Sequence, residues 1–323
     1  MLESLAACYM PITDPAIPLQ VLEALTVADV RFAVLHKEEL LGSQELNSDV
    51  DLVVEVPAGE ALSRTSTALR NLGLRAALLW PYDLGGTTTV FMTTPNGDEG
   101  AQIDFLFDPT GRGRYGVRTD VMLGNAETGR RFPVPSAVDQ QLYLIRKGAC
   151  KRQPDRVEAG LAELAMMSSA DEAAARAQVL FSPRARGEMV RLLGGGEPTA
   201  KTAPNRPVGN ALRRAGRVVR PIGLWAEIVG SEELASAEAA RLEHRFARWL
   251  VHTNRGRRVQ GAAGILWWIR QVAPVRLRPG LFLSWAEAAT WPPADVTLAA
   301  SGPEGLDRAA TAIVNAFASK NLR

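Results

Sequence analysis

The sequence predicts an α+β fold: a mixed sheet flanked by helices, followed by a mostly helical region with strand–loop–helix units. Three observations carry this. The amino-terminal part alternates helical spacing with β-rich runs, in the order helix, strand, strand, helix, strands. After Ser136 the chain turns Ala-, Glu- and Arg-rich at helical spacing. Gly194-Gly195-Gly196 through Pro207 is a Gly/Pro/Thr-rich break, the best boundary in the chain. The expected division is an α+β domain over 1–135, a helical region packing on it over 136–196, a Gly/Pro-rich then basic linker over 197–221, and a carboxy-terminal domain over 222–323.

Each element has its own signal. Pro15–Val30 places Leu19, Val21, Leu22, Leu25 and Val27 at helical spacing, and Phe32–Leu35 follows as a short strand. Ser48–Val56 is a β-rich run with acids at its entrance. Ala61–Leu72 returns to helical spacing and ends at Gly73. Leu74–Trp80, Thr87–Thr93 and Gln102–Phe107 read as strands, separated by the turns Asp83–Gly86 and Pro95–Gly97, with the helices expected on one side of the sheet. Ser136 opens a helix reaching Lys151, and Leu161–Arg176 and Ala177–Leu193 are also helical. Further on, Leu224–Val229 is a short apolar run, and helical patterns cover Ser236–Val251 and Gly261–Val272. Val296–Ala300 begins a final strand–loop–helix unit that weakly resembles Leu224–Ala240.

Composition excludes several classes. The chain has 323 residues, 46% apolar and 22% charged, with a net charge of +2, so no global field marks a nucleic-acid binder. Cys8 and Cys150 provide neither a disulfide framework nor a Cys/His metal spacing, which favours a reducing cytoplasm. The amino terminus lacks the basic start and apolar block of a signal peptide. Apolar stretches such as Ile265–Ile269 fall short of the roughly 20 residues that a membrane span needs.

The chemistry centres on acids. Asp49 and Asp51, at i and i+2 on a strand, project to the same face. Two like charges side by side are costly unless a cation sits between them. A pair of divalent ions roughly 3.5–4 Å apart meets that need and clamps an in-line displacement at phosphorus. Asp104, within Gln102-Ile103-Asp104-Phe105, is an isolated charge among apolar neighbours, for which a shared metal gives a reason. The bland alternative is that Ser48-Asp49 is simply a polar entrance to a strand.

The run Ser48-Asp49-Val50-Asp51-Leu52-Val53-Val54, with the later strand Gln102-Ile103-Asp104-Phe105, resembles the nucleotidyltransferase superfamily that includes polymerase beta and the antibiotic-modifying adenylyltransferases. The similarity covers about the first half of the chain. It implies that Asp49 and Asp51 hold Mg2+ or Mn2+, and that Asp104 holds the catalytic metal and activates an acceptor hydroxyl. It further implies that an NTP such as ATP is the nucleotide-binding substrate, and that Lys147 and Lys151 reach the triphosphate. The implied acceptor is a small molecule or sugar in secondary metabolism or a glycan pathway. The superfamily places Gly-Gly or Gly-Ser at the end of the first strand, whereas this chain has Leu35-His36-Lys37. Lys37 is expected to supply a side-chain charge there, and Ser48 completes the substrate-binding candidates. A catalytically silent scaffold, binding a nucleotide or a partner, remains the alternative.

In the second half, Val296–Ala310 resembles a thymidylate-kinase-type phosphate loop in degenerate form. Asp307 stands at an essential glycine, Arg308 at the lysine, and Ala309 and Ala310 at the Ser/Thr positions. Arg220–Ala237 has a similar outline but lacks the Lys altogether, having Ser236 and Ala237 instead. A decayed kinase-like relic and two ordinary strand–turn–helix units are both open readings, and neither loop is expected to bind ATP. The basic stretch Arg213–Arg220 reads as a solvated linker, because interleaved aromatics and a nucleic-acid module are absent. His244 and His252 are read as structural or surface residues, and Trp267-Trp268, with Ile265 and Leu266, as core.

Overall fold

The run Leu52-Val53-Val54 is apolar without alternation, the pattern of a strand covered on both faces. The computed structural model, which describes residues 13–35, 38–46, 49–81, 86–196, 223–250, 252–259, 262–276, 280–288 and 292–321, places it at the heart of a mixed sheet. Strands β1 (Phe32–Val34), β2 (Val50–Val54), β3 (Arg75–Pro81), β4 (Thr87–Thr93) and β5 (Gly100–Leu106) pair in the order β1-β2-β5-β4-β3. β2 and β5 run parallel and the remaining neighbours antiparallel.

Both faces of this sheet are covered, which corrects the expectation of helices on one side. On one face, α1 (Ala16–Val27) and α2 (Ala58–Asn71) bury Ile17, Leu22, Leu62 and Leu69 against Leu52, Ile103 and Phe105. On the other, Ala33, Val53 and Leu106 join the helical region, while Leu78 and Phe91 join the carboxy-terminal half. Along β2 and β5, side chains alternate between the two cores because of the period of two.

The helical region holds α3 (Thr119–Gly124), α4 (Ala137–Lys151), α5 (Pro154–Met167), α6 (Ala170–Leu180) and α7 (Pro183–Leu193). Ser136 caps α4 by accepting the Asp139 N–H. Beyond α4 the sequence reading expected two helices, and the structure has three. One break falls at Ser168-Ser169, where Ser169 and Glu172 form a reciprocal capping box. The other falls at Ser182-Pro183, with proline in the first turn, where its missing N–H costs nothing. Both Arg176 Nε and Nη2 donate to the buried Asp139 carboxylate at 2.5 Å, tying α6 to α4.

The carboxy-terminal part has a sheet among its helices, which the sequence reading did not assemble. It contains a second sheet of four parallel strands, β6 (Leu224–Val229), β7 (His252–Arg257), β8 (Gly280–Ala286) and β9 (Val296–Ala299), in the order β7-β8-β6-β9. The sequence reading missed β7 and β8 for physical reasons. β7, His-Thr-Asn-Arg-Gly-Arg, is an edge strand with no apolar alternation; its Arg255 and Arg257 pair with Glu243 and Glu232. β8 is a short buried run, and such runs carry no periodicity that marks them as strand. Helix α8 (Glu232–Ala247) follows β6 and starts four residues earlier than expected, with Glu232 and Glu233 favourably placed in its first turn. The run α9 (Ala262–Trp267), a π turn (Trp268–Val272) and α10 (Ala273–Arg276) precedes β8, and α11 (Leu306–Asn321) closes the described chain. Trp267 and Trp268 are half-buried, and Trp267 packs edge-on against Trp225 and Phe282; Ile265 and Leu266, expected in the core with them, are exposed instead.

The β4–β5 turn docks on this second unit. Trp249 is fully buried, its Nε1 donates to the Gly97 carbonyl at 2.9 Å, and Arg245 pairs with Asp98 at 2.9 Å. A Cβ at Gly100 would lie 2.6 Å from Trp249 Cγ. Gly100→Val is therefore expected to lower stability by about 1–3 kcal/mol through overpacking. Gly59→Ala in the exposed first turn of α2, where nothing lies within 4 Å, is expected to be neutral or to gain stability. Urea unfolding of the two variants checks the contrast. Equal midpoints would contradict it.

Candidate metal centre

Strand register brings the acids together. The parallel pairing of β2 with β5 sets Asp51 beside Asp104, and Asp49 stands just before β2 on the same face as Asp51. This is the face that looks toward α4, since Val53 and Leu106 share a core with Leu142, Tyr143 and Ile145. One carboxylate oxygen from each of Asp49, Asp51 and Asp104 lies within 4.8 Å of the others. Asp51 is buried, and Asp49 and Asp104 are half-buried. All three sequence-predicted ligands converge.

Two neighbours hold the carboxylates. Thr89, cross-strand partner of Asp104 on β4, donates its hydroxyl to Asp104 Oδ1 at 2.6 Å. Lys147, on α4, reaches down so that Nζ lies 2.5 Å from Asp51 Oδ2 and 5.6 Å from the centre of the Tyr143 ring. Tyr143 in turn meets Tyr115 edge-to-face at 5.7 Å. Lys147 thus lies where the sequence placed it. Lys151, one turn further along α4, is exposed. Lys37 and Ser48, with His36, lie outside the described residues, as do the basic stretch Arg213–Arg220 and the turn residues Asp83–Gly85. Thr89 and Tyr143 were missed. Thr89 has no sequence signal, because its place opposite Asp104 follows only from strand pairing; Tyr143 was legible, four residues before Lys147 on one helix face.

The electrostatics match a site built for a cation. Burial, then the charge of Asp51, pushes the Asp104 carboxyl from 3.8 up to about 7; Asp49 adds to the rise, and the Thr89 hydrogen bond and Lys147 oppose it. Burial alone would lower Lys147, but the charge and hydrogen bond of Asp51, with Asp49 and Asp104, carry its value upward. Burial and the neighbouring Lys147 charge lower Lys151 against the pull of the three aspartates. Burial also drives the Tyr143 phenol well above its ordinary value, followed by the Asp51 charge. Three hard oxygen donors, joined by no sulfur or imidazole ligand among the described residues, suit Mg2+ or Mn2+.

The loops after β6 and β9 are both strand–loop–helix units on one parallel sheet. After β9, the N–H groups of Ser301 and Gly302 donate to Glu238 Oε2, at 2.8 and 3.1 Å, from the buried α8 residue Glu238. An internal carboxylate therefore occupies these donors. His244 lies on α8 and His252 on β7, neither of them an element of the carboxylate site. Among the described residues, no helix is long and apolar enough to cross a membrane.

Comparison with protein-family models, with curated proteins and with solved structures finds no match.

Proposed function

We propose that this chain is a metal-dependent nucleotidyltransferase, moving a nucleoside monophosphate from an NTP to a hydroxyl of a small molecule or sugar with release of pyrophosphate. The observation that carries the reading is the convergence of Asp49, Asp51 and Asp104 within 4.8 Å on register-paired strands, beneath a lysine. The three carboxylates would hold Mg2+ or Mn2+, which when bound would neutralise phosphate charge and orient the transfer. Asp104, its Oδ1 fixed by Thr89, takes the proton from the acceptor hydroxyl. Lys147 and Lys151, on one edge of α4, bind the triphosphate. The degenerate kinase-like loops have no part in this: Glu238 already fills the donors after β9, and Ser236 and Ala237 replace the phosphate-holding residues after β6.

Mn2+ titration with NTP turnover tests the reading. Asp49→Ala is expected to remove both metal binding and turnover. NTP binding that needs no metal and survives Asp49→Ala and Asp104→Ala would overturn it.

One observation favours a silent scaffold: Lys147 already neutralises Asp51. Lys147→Gln separates the two readings. In a transferase the KM for NTP rises by about tenfold or more, one charge-assisted contact being lost. In a scaffold neither protein turns over NTP, and the variant binds Mn2+ more tightly because the competing ammonium is gone.

A further inference from the structure

We propose that the helical run of α9, the π turn and α10 is a surface anchor, which lays its exposed apolar side on an anionic lipid bilayer. Ile265, Leu266 and Ile269 are 66%, 58% and 53% exposed, three large aliphatic side chains within little more than one turn. Single aliphatics scattered over a surface are ordinary, but a cluster on one helix side marks a surface that something covers. Ile265 and Ile269 stand at i and i+4, and Leu266 and Arg270 do the same, which makes two adjacent rows on one side. This surface involves none of the carboxylate residues and stands without the transferase reading.

The other side of the run fixes it to the protein. Val272 and Val275 are buried with Trp225 and Phe282, and Trp267 and Trp268 pack partly against them. Gly264 brings the start of α9 onto the segment before it, since a Cβ there would lie 2.6 Å from the Val259 carbonyl oxygen. Val259 is itself exposed. The apolar side is thus presented by a helix already docked on the second sheet, so little ordering is left to offset when it binds.

Charge selects the occupant. From Val259 to Ala286 the sequence has Arg270, Arg276 and Arg278 and no Asp or Glu. Arg270 is exposed, with no ion pair among the described residues. The arginines of β7 add nothing, because Arg255 and Arg257 are paired with Glu243 and Glu232. Aliphatic groups beside an unneutralised guanidinium suit an anionic membrane surface: the former enter the acyl boundary while the latter reaches the headgroup phosphates. The half-buried Trp267 and Trp268 are of the residue type that settles at headgroup level. A second copy of the chain fits less well, since a two-fold contact would bring the same basic segment to both sides. Residues 262–276 make a run only about 22 Å long, too short to cross a bilayer, so it lies on the surface.

Co-sedimentation of the full chain with vesicles tests the proposal. Binding is expected to vesicles of equal parts phosphatidylglycerol and phosphatidylcholine, and at least about tenfold less to phosphatidylcholine alone. Ile265→Ser/Ile269→Ser changes two exposed side chains, so its melting temperature should match the parent's while vesicle binding falls at least about tenfold. Arg270→Gln should weaken binding to the anionic vesicles about fivefold. The proposal fails if the chain stays in the supernatant with anionic vesicles, if the double variant binds as the parent does, or if both vesicle types bind alike. A dimer seen by analytical ultracentrifugation without vesicles, and abolished by the double variant, would assign the surface to a second copy instead.

Discussion

Asp104→Asn is expected to cut metal-dependent NTP turnover on the order of a thousandfold or more, while leaving the metal-free protein at least as stable as the parent at pH 8. The two effects have one cause. Asp104 sits beside Asp51 in register and close to Asp49, and burial with these charges raises its carboxyl from 3.8 to about 7. A carboxyl raised in the fold stabilises it while protonated. That contribution is present below about pH 4 and is lost as the pH rises through about 7. The metal-free parent should therefore lose stability across this window, on the order of a few kcal/mol relative to the variant. The carboxamide that replaces the Asp104 carboxyl carries no charge to repel Asp51, and its oxygen still accepts the Thr89 hydroxyl. Saturating Mg2+ should reverse the order by stabilising the parent alone. Thermal melts at pH 5 and pH 8, in EDTA and in Mg2+, together with turnover, make the check. A variant that melts well below the parent at pH 8 in EDTA would refute the electrostatic account.

Arg258→Ala should cost about 3–5 kcal/mol, the largest stability effect expected of a single substitution in the second half. Arg258 and Glu227 are both almost wholly buried, and Nη1 donates to Glu227 Oε1 at 2.6 Å. The guanidinium also donates to the Pro292 carbonyl at 2.6 Å and lies 4.7 Å over the Trp225 ring. Glu227 is on β6, a central strand of the second sheet, and its Oε2 has no hydrogen-bond partner among the described residues. Removing the arginine strands a carboxylate in the core. Adding Glu227→Gln to the Arg258→Ala background should recover much of the loss, because the uncompensated charge disappears. Urea unfolding of both variants distinguishes this from simple loss of packing, which the second change would not repair.

The carboxylate site was largely legible before any tertiary contact was known. The i, i+2 spacing of Asp49 and Asp51 places them on one strand face whatever surrounds them. Asp104 was conspicuous as a charge inside an apolar strand. Lys147 came from the family resemblance, as a basic residue on the helix that follows the sheet. Other features left no local trace. Thr89 is one of three consecutive threonines, and only the β4–β5 register selects it as the partner of Asp104.

The sequence by itself determined the first sheet, its opening helices and its acid trio, because β-branched runs, period-two spacing and capping residues act over a few neighbours. The tertiary structure alone decided that both faces of that sheet are covered and that four strands of the second half pair into one parallel sheet among its helices. β7 is a polar edge strand held by backbone pairing, and β8 is a short buried run. For such segments the deciding term is the partner strand, which no local pattern encodes.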